Sequence, residues 1–155
     1  MEYKKTNGGI GSNHYSSQQP QTFDQLAATV KNDYFLKNYS ELLNMHTRTN
    51  DLDAILKSIE DFVKGLGVKV STSQLRNIFD KVKKETEVSG LKLIRPHLAY
   101  IAGRATNDKD KDNVKKFLAF IDSLIKSVDT EDKLEGFKQF FESVVAYHKF
   151  YSKAN

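Results

Sequence analysis

The chain has 155 residues, 39% of them apolar, with no cysteine and a formal charge of +4. That length favours one domain with a buried core, and the lack of cysteine excludes a disulfide framework or a thiolate metal site and fits a reducing compartment. No apolar run nears the roughly 18 residues of a membrane span, and none follows Lys4-Lys5 as a secretory signal would require, so a cytoplasmic protein with no membrane partner is expected.

Residues 1–21 are rich in Gly, Ser, Asn and Gln and hold too little apolar surface to offset chain entropy, so a disordered tail is expected there. Its Gly8-Gly9-Ile10-Gly11 is no dinucleotide fingerprint, because no strand precedes it and the third glycine is missing. Residues 22–155 read as a single helical domain. Thr22 can cap a short helix to about Lys31, with Phe23, Leu26, Ala27 and Val30 on one side. Residues 32–50 are apolar enough to pack, but their spacing fits a helix only in part. Asp51 starts a clearer helix through Leu52, Ile55, Leu56, Ile59, Val63 and Leu66, with Gly65 and Gly67 expected to end it.

Ser71-x-x-Gln74 is a capping box, followed by the stripe Leu75, Ile78, Phe79 and Val82 up to about Thr86. Gly90 reads as a break. A helix from about Leu91 to Ala105 follows, in which Pro96 predicts a kink or a fresh start. Asn107 to Asp112 reads as a polar loop. Val114, Phe117, Leu118, Ile121, Leu124, Ile125 and Val128 form the cleanest amphipathic stripe, and a last helix opens at Asp129 or Thr130 and runs through Tyr151. No segment alternates with a period of two. The fold expected is all-α, a single compact helical bundle of five to six helices.

The basic excess is local. Residues 71–105 hold seven Lys or Arg against three acids, while the segments on either side are balanced. Such an excess suits a phosphate backbone, although a solvated basic helix face would look the same. Arg76 and Lys83 share a helix face, Lys84 lies beside them, and Lys81 points elsewhere. Arg95 and Arg104 lie half a turn apart on an ideal helix, so one of them can serve the fold through a carboxylate instead. Tyr100, Tyr147 and Tyr151 could stack on bases, but aromatics at stripe spacing are usually core. His148, on the apolar stripe of the last helix, reads as a hydrogen-bonded core residue.

No catalytic or metal-binding constellation stands out. The four histidines are scattered, and there is no HExxH, P-loop or nucleophile elbow. Asp108-Lys109-Asp110-Lys111-Asp112-Asn113 resembles a calcium loop only in its alternating acids: the glycine position is Asn113 and the bidentate glutamate position is Ala119. No enzyme activity, metal or cofactor is expected.

Three landmarks occur in a fixed order: Thr72-Ser73-Gln74-Leu75-Arg76, then Arg95-Pro96-His97-Leu98-Ala99-Tyr100-Ile101-Ala102-Gly103-Arg104, then Ala146-Tyr147-His148-Lys149. Together they resemble the small helical subunit of type III-A CRISPR effector complexes, the Csm small subunit. The resemblance spans roughly residues 71–151. It implies a non-catalytic subunit stacked head to tail in several copies along a backbone filament that holds the guide RNA, contacting guide and target RNA through phosphates. RNA cutting would belong to the backbone subunit, and DNA cutting to a Cas10-type large subunit. Matching residues nominate Arg76, Arg95 and Arg104 for RNA or subunit contacts. Lys83, Lys84 and Lys149 are added from charge and helix face. Two alternatives stay open: the small subunit of a type III-B complex, and a helical protein–protein adaptor without a nucleic-acid role.

Overall fold

The computed structural model describes residues 19–47, 50–105 and 110–152. Most of the N-terminal segment read as a tail, with His14 and the glycine run, lies outside them, as do Asn107 to Lys109. Among the described residues the chain is helical with no strand. It comprises α1 (Phe23–Tyr34), a 3-10 segment (Tyr39–Thr47), α2 (Leu52–Leu66), a 3-10 turn (Gly67–Lys69), α3 (Thr72–Lys84), α4 (Val88–Lys92), α5 (Arg95–Gly103), α6 (Lys111–Lys126) and α7 (Glu131–Tyr151).

The starts of these helices follow local hydrogen bonding. Thr22 and Gln25 form a capping box at α1: the Gln25 N–H donates to Thr22 Oγ1 (3.1 Å) and the Thr22 N–H to Gln25 Oε1 (2.9 Å). Ser71 and Gln74 repeat it at α3. The Lys133 N–H donates to Thr130 Oγ1 at 3.1 Å and opens α7. Each box satisfies donors that a first helical turn leaves free.

The all-α class holds, but the count of five to six helices is corrected to seven α-helices among the described residues. The helix expected over Leu91–Ala105 is two pieces, α4 and α5. Pro96 sits in the first turn of α5, where its missing N–H costs nothing. Gly90 lies inside α4 rather than breaking the chain, with the Glu85 carboxyl group where its Cβ would stand. Gly65 does not end α2 either. The helix runs to Leu66, and Gly67 follows in right-handed helical geometry (φ −85°, ψ −23°). A Cβ on Gly67 would stand 2.6 Å from the Phe117 ring, so close packing rather than a left-handed turn explains it.

Two long helices organise the packing. α6 lies against α1, α2 and α5, while α7 lies against the 3-10 segment, α2 and α3. The 3-10 segment crosses α7 at Gly136, where any Cβ would run into the Leu43 carbonyl. His46 ties the same segment to Asp132 at 3.2 Å. The core is rich in phenylalanine. Phe120 on α6, fully buried, stacks on Phe35 (centroids 4.6 Å) and meets Tyr39, Phe62 and Phe140 edge-on. One ring thereby touches the end of α1, the 3-10 segment, α2 and α7. Phe62 also stacks on Phe117 at 4.8 Å.

A Phe120→Ala substitution removes the joint shared by four elements. It should lower the free energy of unfolding by about 3–5 kcal/mol, read by urea denaturation. A decrease below about 1 kcal/mol would show that the ring is not the joint described.

Candidate nucleic-acid interface

The nominated cations fall into three environments. Arg95, at the start of α5, is held by Asp122 of α6: its Nε donates to Asp122 Oδ1 at 2.8 Å. The Asp122 side chain is 6% exposed and the Arg95 side chain 38%. A buried carboxylate needs such a partner, so Arg95 serves the fold, the role its residue type left open. Lys92 nearby donates to the carbonyls of Ile125 and Lys126 (3.2 and 3.0 Å), satisfying the free C-terminal end of α6.

Lys83 is partly engaged as well. It pairs with Asp80 at 3.7 Å and lies over the Phe79 ring, 4.8 Å from the centroid. Both Lys83 and Asp80 are about half exposed, so that pair holds the side chain weakly. Lys84, one position on, is exposed and has no ion-pair partner among the described residues.

Arg76 and Lys149 form the third environment. They lie 73 positions apart in the chain, yet both line one depression of about 160 Å³ between α3 and α7, with Thr72, Leu75, Val145, Ala146 and His148. Both are exposed, and neither has an ion-pair partner among the described residues. The packing of α3 on α7 brings them together, and His148 ties the two at this end. His148 is 1% exposed, and its Nε2 lies 2.7 Å from the Val70 carbonyl oxygen. A carbonyl only accepts, so Nε2 carries the proton. That bond fixes the end of α7 to the residue preceding the α3 cap. The Ser152 hydroxyl donates back to the His148 carbonyl, and burial pushes the imidazole below its ordinary value of 6.5 despite the backbone acceptors around it.

Arg104 lies on the other side of the first turn of α3. It lines a cleft of about 270 Å³ with Lys69, Gln74, Ile101, Asp110 and Lys111. Gln74 belongs to that cleft and Thr72 to the depression, so the positive end of the α3 dipole stands between the two groups of cations. Lys69 was missed in the sequence because residues 1–70 are balanced in charge overall. Only its place just before the α3 cap could have singled it out. Tyr147 stays partly buried and Tyr151 hydrogen-bonds Glu60, whereas Tyr100 is exposed, not core.

Chemically, this surface offers point charges and helix-end donors. Among the described residues no group of three or more His, Cys, Asp or Glu could hold a metal ion. Asp110 precedes α6, and Asn113 and the buried Ala119 lie within it, so this part of the alternating acidic stretch is helix rather than a liganding loop.

A family model described as Csm2 Type III-A matches residues 46–154. A Dictyostelium discoideum protein, described as an uncharacterised transmembrane protein, is 30% identical over 112 residues. That likeness covers 63% of this chain and 2% of the relative's length. No helix among the described residues is long and apolar enough to cross a membrane. No solved structure matches.

Two outcomes follow from this geometry. Arg95→Ala should destabilise the fold by about 2–3 kcal/mol, less than for a fully buried pair because Arg95 is partly exposed. Unchanged stability would free Arg95 for a ligand. Stability should also fall as pH drops through 6.5. The unfolded imidazole of His148 takes up a proton there, while the folded one resists until its lower value is reached. The unfolded state thus binds more protons in that window. Burial and the nearby Lys81 push His97 the same way. Thermal midpoints between pH 7 and 5.5 check this, and His148→Gln should flatten the slope.

Proposed function

The chain belongs to the Csm2 type III-A family, and from that footing we propose that it is a non-catalytic, RNA-binding subunit of a type III-A CRISPR ribonucleoprotein. Membership makes it the small subunit of a type III-A effector complex. The finer reading is that it stacks head to tail in several copies beside the backbone subunit and the Cas10-type large subunit. In that position it would hold guide and target RNA by their phosphates in antiviral defence.

The observation that carries the RNA-binding part is the convergence of Arg76 and Lys149. They come from the first and last of the three landmarks, neither is used by the fold, and they share one depression. Unpaired cations at fixed spacing on a rigid surface suit a phosphate backbone, which is read by charge rather than by base identity. Lys84 extends that charge along α3, and Arg104 with Lys69 extends it past the α3 cap. Arg95 contributes by holding α5, the helix that presents Arg104.

In the assembled complex, Arg76→Ala with Lys149→Ala should weaken target RNA binding. The slope of log affinity against log salt should become shallower by about 0.7 for each single-strand phosphate that the substitutions release. Both side chains are exposed, so helix content and thermal midpoint should stay within error. An unchanged affinity and slope would remove this surface from RNA contact. A complex whose RNA affinity ignores salt altogether would favour the protein–protein adaptor.

A further inference from the structure

Residues 88–105 contain no Asp or Glu, yet carry Lys92, Arg95, His97 and Arg104. Within this acid-free stretch α5 packs inward through Leu98, Ile101 and Ala102. Its outer side presents Pro96, Tyr100, Gly103 and Arg104, which share a face at spacings of three and four. Tyr100 is 61% exposed. The Arg104 guanidinium lies over its ring, 5.5 Å from the centroid, and so orients an aromatic that no other described residue is seen to cover. Gly103 has open space where a Cβ would stand. Glycine weakens a helix, and no packing among the described residues offsets that. Its missing side chain leaves the outer face of the helix low on the side that Tyr100 shares. Across the adjoining cleft stands Lys69, exposed and without an ion-pair partner among the described residues.

We propose that Tyr100 and Arg104 form a stacking platform for an unpaired RNA base, with Lys69 taking the phosphate beside it. The proposal rests on the RNA-binding reading above and adds how a single-stranded segment is held. The base lies on the ring area that Arg104 leaves uncovered. An exposed aromatic under an arginine, with a lysine lining the cleft that the same arginine lines, is the combination by which single strands are held without regard to sequence. Charge favours this occupant over a protein partner of ordinary composition, because residues 88–105 lack acids and the adjoining cleft is lined by Lys69, Arg104 and Lys111 against Asp110 alone.

The chain contains no tryptophan, so Tyr100→Trp places a single emitter at the platform. The full-length variant is titrated with a short oligoadenylate and with an abasic ribose-phosphate oligomer of equal length. Tryptophan emission is followed together with the anisotropy of end-labelled oligomer. The oligoadenylate should quench the emission and the abasic oligomer should not. Tyr100→Ala should weaken oligoadenylate binding by about 5- to 150-fold, the range of base–aromatic stacking, whereas Tyr100→Phe should bind as the unsubstituted chain does. Equal binding of the two oligomers with unchanged emission would overturn the platform and leave phosphate contact standing. So would an emission shift that follows protein concentration in the absence of RNA, which would make this face a protein-docking surface. Failure of the unsubstituted chain to bind either oligomer, alone or in the assembled complex, would overturn the RNA-binding reading and the platform with it.

Discussion

The structure depends on the meeting of aromatic rings around Phe120. Four elements distant in sequence reach that one side chain, and each is held there by ring contacts with defined geometry. Because α6 is fixed on all these sides, its remaining face can carry α5 through Leu98, Ile101 and the Arg95–Asp122 pair. The cations of the surface are therefore presented by helices whose positions are set from within. Their headgroups take little part in the core, which leaves them available.

A second joint does for α3 what Phe120 does for the core. His148 connects the last helix to the residue before the α3 cap, and with the apolar packing of α3 on α7, Phe79 against Phe141 among it, that buried hydrogen bond holds the first and third landmarks on one surface. It also explains a polar residue on an apolar stripe. The position needs a donor that can cross from one helix to a backbone carbonyl, and imidazole supplies it while remaining neutral. The C-terminal landmark is thus partly structural, in His148, and partly surface, in Lys149.

Much of the fold was legible because it is written locally. The caps at Thr22, Ser71 and Thr130 mark helix starts to within a residue, and the stripe from Val114 to Val128 gives α6 directly. What escaped was non-local. The 3-10 segment takes its shape from the smooth surface of α7 at Gly136, more than ninety positions further along the chain, and its own spacing carries no such information. Tyr100 shows a different limit: periodicity says which residues share a face, not which face turns inward. At the candidate site, residue types and helix spacing located the basic segment. The division between Arg95, which serves the fold, and Arg76, which does not, depended on a carboxylate at position 122 that no local pattern links to either.

The crossing of the 3-10 segment over Gly136 bears on how the chain is made. Leu43 leaves the ribosome some ninety residues before its seat on α7 exists, an interval of roughly 5–20 seconds at ordinary synthesis rates. α1 likewise waits for α6. Throughout that interval Leu43 lacks the α7 surface it packs on, whereas Phe35 can already meet Phe62 of α2 and then Phe120 of α6. The 3-10 segment can therefore complete its packing only after the last helix has been made, although it is among the first elements to be synthesised.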